Sequence, residues 1–282
     1  MIEEKLMTEK EWKEKQKKKT KKKYIRNALA LVLVAVISIA GTLAYLSKKT
    51  DTKTNTFTGS GGLEVILEEP KWDEDNAKDY TPDKIILKNP QLCNGSKWTD
   101  KDNDDVIDTD TDEITHSTQY DEYMAMRIDF QDENKALITY ANLMNVIDAI
   151  AFDTTNWKLV AVSADGTTWN TSVDNTKLSP SLDAAVTGAK SMIFLYTKGA
   201  DATAVAPGAV TEPLFSQIQI RDGNTEPIKA LDGSGDALTG GFPDFNIDVL
   251  GAAVDKESFK KSDSSYDVSA ATTALIDLLK TK

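Results

Sequence analysis

The feature that most constrains this chain is an apolar run near its N-terminus. Residues 28–40 contain only Ala, Leu, Val, Ile and one Ser, and a lysine-rich cluster at residues 17–23 lies just before them. A basic stretch, an apolar stretch and a small-residue exit are together typical of a secretory signal. We therefore predict that residues 1–44 are a signal peptide, that cleavage falls between Ala44 and Tyr45, and that the rest folds outside the cytoplasm.

The same run permits a second interpretation, an uncleaved membrane anchor. Residues 28–46 form a stretch of 19 mostly apolar residues. At about 1.5 Å per residue, a helix of this length just crosses the ~30 Å hydrocarbon core of a bilayer. The lysines would stay on the cytoplasmic side in both cases. Both interpretations predict export, and both confine contact with the membrane to this segment.

The charge of the chain changes sign after this segment. Residues 1–44 carry 11 basic and 5 acidic side chains, whereas residues 45–282 carry 22 basic and 40 acidic ones. Such an acidic surface favours solubility and disfavours nucleic acid or anionic lipid as a partner. The single cysteine, Cys93, excludes an intramolecular disulfide, and the single histidine, His116, excludes a zinc site built from several histidines.

The pattern after residue 62 predicts a β-rich domain. Alternating or short apolar runs predict strands at residues 63–67, 85–87, 122–130, 157–162, 168–173, 191–197, 214–220 and 245–254. Helical spacing predicts an amphipathic helix at residues 133–152 and a terminal helix at residues 268–280. For residues 63–282 we expect an all-β, jelly-roll-like β-sandwich with inserted helices, preceded by the signal or transmembrane helix.

Two local patterns within this domain make sharper predictions. The Asp165-Gly166 pair predicts a hairpin between the runs that flank it. Residues 122–130 alternate so strictly that we expect a half-buried strand. Its inward face would carry Met124, Met126, Ile128 and Phe130.

Residues 45–62 predict a strand followed by a tether. Thr-rich sequence favours a strand, and Gly59-Ser60-Gly61-Gly62 behind it predicts a flexible connection. The strand has little apolar surface of its own, so it must pair with another strand. Pairing with its own sheet and pairing with the sheet of a neighbouring molecule are both open at this point.

Residues 94–117 form a long acidic insertion. Carboxylates at alternating positions resemble the first half of an EF-hand calcium loop, and the candidate ligands are Asp100, Asp102, Asp104 and Asp108. Asp105 stands where that loop has its glycine, and Thr111 where it has its glutamate. A distorted calcium loop, with Asp110, Asp112 or Glu113 adding ligands, and a merely solvated acidic loop both stay open.

Several stretches, in this order, resemble the TasA/camelysin family of Gram-positive biofilm matrix proteins, whose signals are removed by a SipW-type signal peptidase. They are residues 41–46 with 54–58, residues 81–84 and 88–90 leading to 122–128, residues 206–208 with 213–215, and residues 245–254 with the terminal helix. The resemblance extends over most of residues 41–282.

The resemblance implies a secreted jelly-roll sandwich that assembles head to tail into extracellular matrix fibres. In such fibres the N-terminal strand of one subunit pairs with an open sheet edge of the next. The donor strand here would contain Tyr45, Leu46, Thr54, Thr56 and Phe57. The implied partners are other copies of the chain, the signal peptidase and matrix accessory proteins.

Two alternatives are kept beside this one. The first is a monomeric, calcium-stabilised adhesion module at the cell surface. The second is a metallopeptidase, since camelysin-type proteins have been described as such. One histidine and no nucleophile motif argue against catalysis, because zinc sites draw on His and Cys ligands, and we expect a protein that is not an enzyme.

Overall fold

The computed structural model describes residues 47–49, 63–107, 110–117, 119–173, 178, 182–199 and 202–281. All of these fall within one unit, Leu46–Lys282. The predicted signal peptide and its cleavage site, Ala44 and Tyr45, lie outside the described residues. None of the described helices has the length and apolar character needed to cross a bilayer.

The described chain is β-rich, as predicted. Its strands are β1 (Ser47–Lys49), β2 (Val65–Glu68), β3 (Ile85–Leu87), β4 (Gln91–Asn94), β5 (Lys97–Thr99), β6 (Glu113–Thr115), β7 (Glu122–Asp132), β8 (Trp157–Ser163), β9 (Trp169–Asn170), β10 (Ser191–Tyr196), β11 (Gln217–Gln219) and β12 (Phe245–Asp255). Its helices are α1 (Glu74–Ala77), α2 (Tyr140–Leu143), α3 (Ala184–Thr187) and α4 (Val268–Lys280), with a 3-10 turn at Lys256–Phe259.

One antiparallel sheet of six strands organises the molecule, in the order β1-β12-β7-β10-β8-β9. Its centre is the pairing of β7 with β12, which runs without a break from Phe245 opposite Asp132 to Asp255 opposite Glu122. The predicted hairpin joins β8 to β9, and Gly166 supplies the positive φ (79°) that its turn requires. The remaining strands form the two-stranded ribbons β2–β4, β3–β11 and β5–β6.

The main core lies between one face of this sheet and two of the ribbons. Met124, Met126, Ile128 and Phe130 of β7 all point into it, as predicted, and all are fully buried. They share this core with Leu92 of β4, Ile86 of β3 and Ile218 of β11. The β2–β4 and β3–β11 ribbons therefore form a second layer over the sheet.

The opposite face of the sheet is covered by α4, which spans the predicted residues. Tyr123 and Ala125 of β7 pack there with Leu275 and Leu279 of α4. The prediction that β7 is half-buried is therefore wrong, because the terminal helix removes its second face from water. Strand alternation distinguishes two faces, but the pattern within the strand does not say what covers each of them.

The predicted helix at residues 133–152 is also wrong, since only Tyr140–Leu143 is helical there. The backbone hydrogen bonds of this segment go to other elements instead. Leu137 bridges to Gln131, and Ile147 bridges to Ile220 just after β11. The Tyr140 hydroxyl accepts a hydrogen bond from the Ile150 backbone N–H at 2.6 Å. Tertiary pairing thus overrides the helical spacing of this segment, although Tyr140, Leu143 and Ile147 are still buried in the core.

Candidate functional site

The N-terminal strand is the first candidate feature. β1 lies at the edge of the six-stranded sheet and pairs antiparallel with the end of β12, with Ser47 opposite Val254 and Lys49 opposite Ala252. It falls within the stretch predicted to be a strand, and here it pairs with its own sheet. The predicted donor-strand residues Tyr45, Leu46, Thr54, Thr56 and Phe57 lie outside the described residues.

The end of β12 that pairs with β1 is packed on both of its faces. Ala252, Ala253 and Val254 are almost completely buried between the main core on one side and α4 on the other. β1 itself is three residues long, and backbone pairing of so short a strand depends little on which side chains it carries. Any extended strand of matching length has the groups needed for this pairing.

The second candidate feature is the acidic insertion, residues 94–117, which is a hairpin rather than an unstructured loop. β5 and β6 pair antiparallel with Trp98 opposite Ile114. The hairpin covers a small core of Ile66, Cys93, Ile107 and Ile114. Complete burial raises the pKa of the Cys93 thiol well above its ordinary value, so Cys93 acts here as a packing residue rather than a nucleophile.

The tip of this hairpin brings three carboxylates together. Oxygen atoms of Asp100, Asp102 and Asp112 all lie within 4.8 Å of one another. Of the four predicted ligands, Asp100 and Asp102 belong to this cluster. Asp104 instead accepts a hydrogen bond from the Val106 backbone N–H at 2.8 Å, and Asp108 lies outside the described residues.

Two of these carboxylates are fixed by hydrogen-bond donors from the hairpin itself. Asp112 accepts from the Trp98 indole N–H at 2.8 Å and from the Lys101 backbone N–H at 3.0 Å. Asp100 accepts from the backbone N–H groups of Asn103, at 2.6 Å, and Asp105, at 3.2 Å. Each carboxylate oxygen has a second lone pair, so this support leaves acceptor capacity toward the centre of the cluster.

The turn that follows Asp100 and Asp102 contains two residues with a left-handed backbone conformation. Asn103 and Asp105 both have a positive φ, 61° and 55°. Asp105 thus adopts the left-handed conformation usual for the glycine whose place it takes, and Asp tolerates this better than most residues do. The missing glycine does not prevent the turn from forming.

The electrostatics of the cluster favour a cation. Partial desolvation and the neighbouring charges of Asp104 and Asp100 raise the pKa of Asp102. The nearby Lys101 ammonium pairs with Glu113 at 2.8 Å. Converging carboxylate oxygens on a tight loop are ligands that a hard cation such as Ca²⁺ prefers. His116 is not among the side chains of the cluster.

Sequence reasoning ranked Asp112 below the four ligands of the EF-hand register. It joins the cluster because the pairing of β5 with β6 folds the two ends of the insertion back on each other. Its signal in the sequence was the acidic run at residues 110–113, which does not reveal which carboxylate points inward. Comparison of the chain with protein-family models, with curated proteins and with solved structures finds no match.

Proposed function

We propose that this protein is an exported structural subunit that polymerises head to tail by donating its N-terminal strand. The observation that carries the proposal is β1: a three-residue edge strand, held to β12 by backbone pairing and followed in sequence by Gly59-Ser60-Gly61-Gly62. A short strand before a glycine-rich stretch can leave its own sheet without disturbing the core strands β7, β10 and β8.

The exchange itself creates no new kind of contact. A strand that pairs with β12 in one molecule makes the same hydrogen bonds with β12 of a second molecule. Donation from each subunit to the next is a heterologous contact, and repetition of such a contact without ring closure produces a filament. The strongly acidic surface of residues 45–282 opposes nonspecific association, so the strand supplies the specific contact.

We further infer that the β-rich domain is a jelly-roll-like sandwich. Support comes from the layer that the β2–β4 and β3–β11 ribbons form over the main sheet, with the apolar core between them. The basic, apolar and small-residue pattern of residues 1–44 supports export. The resemblance of residues 41–46 and 54–58 to the TasA/camelysin family implies processing by a SipW-type signal peptidase. The location would be the extracellular matrix or the cell surface, and the role structural rather than enzymatic.

Electron microscopy of three purified proteins tests the proposal. The proteins are the full chain, residues 45–282, and residues 59–282, which lack β1. We expect filaments from residues 45–282 alone, because the full chain retains the leader and the shortest protein lacks the strand. Filaments from residues 59–282 would contradict strand donation, and dispersed particles from all three would contradict polymerisation.

A cysteine pair across the ladder separates donation from pairing within one molecule. Lys48 lies directly opposite Ala253, at a separation that suits a disulfide. Lys48→Cys chains mixed with Ala253→Cys chains, both in a Cys93→Ala background, should form covalent dimers under oxidation. Lys48→Cys mixed with Ala252→Cys is the matched control, because Ala252 points to the other face. A third sample, a chain that carries both Lys48→Cys and Ala253→Cys, reports pairing within one molecule. A crosslink in this sample, with none in the mixture, would contradict donation.

A second function is favoured by the convergence of Asp100, Asp102 and Asp112. We propose that this cluster binds Ca²⁺ weakly and thereby stabilises the hairpin of residues 94–117. Extracellular modules bind Ca²⁺ with dissociation constants of about 10⁻⁴–10⁻³ M, and three carboxylates on an exposed loop suit that range. This role is compatible with a fibre subunit and with a monomeric adhesion module, which the microscopy distinguishes.

A further inference from the structure

A cleft of about 640 Å³ lies beside the first half of β12. Its walls include six consecutive residues, 244–249, together with Ile86 of β3 and Lys88 just after β3. Side chains alternate between the two faces of a strand, so consecutive residues border one cavity only where the edge of the strand faces it. The cleft therefore follows the edge of the six-stranded sheet, in line with the place that β1 occupies at the other end of β12.

The lining of this cleft carries an excess of negative charge. Asp79, Glu133 and Asp244 line it and are exposed, and none of them has a cationic partner among the described residues. Both lysines of the lining are already paired with carboxylates: Lys78 with Asp75 at 3.2 Å, and Lys88 with Glu69 at 2.7 Å. The cleft thus favours a positively charged occupant.

Aromatic rings form part of the same lining. Tyr80 packs between Phe242 and Phe245, with ring centroids 6.0 and 5.8 Å apart, and its hydroxyl donates to the Pro243 carbonyl. Trp72 is 40% exposed and has the Lys88 ammonium 4.6 Å from its ring centroid. Carboxylates beside fixed aromatic rings suit a lysine-bearing ligand, because both groups attract a cation.

We infer that this cleft receives an extended, lysine-bearing strand along the edge of β12, and that the occupant is the segment 47–58 of a second copy. The inference rests on the proposed strand donation and specifies where the strand is received and what selects it. The segment carries three lysines and one aspartate, although residues 45–282 as a whole are acidic. Its charge is therefore complementary to the cleft.

The register of β1 supports this occupant. The described ladder sets Lys48 opposite Ala253. Continued residue by residue along a donated strand, the same register sets Lys53 opposite Asp248 and Phe57 opposite Asp244. Phe57 would then lie near Tyr80, because the Asp244 charge is close enough to Tyr80 to contribute to the raised pKa of its hydroxyl.

Binding of a labelled peptide tests the inference. The peptide has the sequence of residues 47–58, and its fluorescence anisotropy is measured as the purified full chain is titrated in. We expect saturable binding that weakens in 0.5 M NaCl. Replacing Asp248, the lining carboxylate that this register sets opposite Lys53, by Asn should weaken binding roughly two- to fivefold, the effect of one solvent-accessible charge pair. Asp236→Asn, an exposed change elsewhere, is the matched control.

A charge-swap cycle makes the assignment specific. A peptide with Gln at position 53 should bind the unmodified chain about as weakly as the lysine peptide binds the Asp248→Asn variant. Combining the peptide change with the protein change should weaken binding little more than either change alone. Competition from the chain's own segment lowers all apparent affinities together and leaves these ratios unchanged. Equal affinities for both peptides would overturn charge selection.

A photo-crosslinking group at position 57 of the peptide locates the site, and mass spectrometry identifies the residues it reaches. Crosslinks to residues 244–249 or to Tyr80 support the cleft. Crosslinks elsewhere overturn the cleft and leave the fibre standing if filaments still form. Binding in the cleft without filaments would instead contradict the fibre and leave a strand-binding site.

Discussion

The buried pair Arg127–Asp129 offers the sharpest test of how this fold holds together. Both side chains are only 3% exposed, and the Arg127 Nε donates to Asp129 Oδ1 at 2.7 Å. The Arg127 guanidinium also donates to the Leu279 carbonyl at 2.8 Å and lies 5.1 Å from the Trp169 ring centroid. One cation thus joins β7, β9 and the carboxyl end of α4, where backbone carbonyls lack helical partners.

The perturbation is Arg127→Met, which keeps most of the apolar stem and removes the charge. It leaves the Asp129 carboxylate buried without its arginine, and the α4 carbonyl without its donor. Breaking a buried ion pair from one side costs about 3–5 kcal/mol. For a domain of this size, a loss of that order lowers the melting temperature by roughly 6–20 °C.

The informative comparison is Arg127→Met combined with Asp129→Leu. Replacing both partners by apolar groups of similar volume is often close to neutral, because no charge stays buried alone. Urea unfolding monitored by circular dichroism gives the free energies, and hydrogen exchange of the α4 amides shows whether the helix loosens first. The reasoning is refuted if Arg127→Met costs less than about 1 kcal/mol, or if the double variant loses the sum of both single changes.

Three further predictions concern the candidate sites and one titrating group. Adding 10 mM Ca²⁺ should stabilise the protein by about 1.4–2.7 kcal/mol for a dissociation constant of about 10⁻³–10⁻⁴ M, which calorimetry detects as a higher melting temperature. The double variant Asp102→Asn, Asp112→Asn should lose this rise in melting temperature. An equal rise in the double variant would contradict the site. Asp105→Gly should keep or strengthen the calcium response in the same calorimetric assay, because glycine adopts a positive φ at no steric cost, and loss of the response would contradict the turn assignment. Desolvation and the adjacent Glu69 charge raise the pKa of Glu68 from 4.5 to about 7. The folded state therefore binds the extra proton, and stability should fall as pH rises from about 4.5 to 7; Glu68→Gln should flatten that part of the curve, and an unchanged slope would exclude Glu68 as its source.

Local sequence determined most of the strands and the terminal helix. β3, β7, β8, β10 and β12 all lie where short apolar or alternating runs predicted them, and α4 coincides with residues 268–280. The Asp165-Gly166 turn was equally readable, because a positive φ and a two-residue turn signal are properties of neighbouring residues. Such patterns are local, so no knowledge of the rest of the chain was needed.

Only the tertiary structure decided what each element packs against. The spacing of Leu137 and Ile147 suits a helix, but pairing with Gln131 of β7 and with Ile220 just after β11 gave their backbone better partners. The second buried face of β7, the role of Arg127 beneath α4, and the convergence of Asp112 with Asp100 and Asp102 all bring together residues distant in sequence. Periodicity records which side of an element is apolar; the neighbour that covers that side is selected by long-range packing.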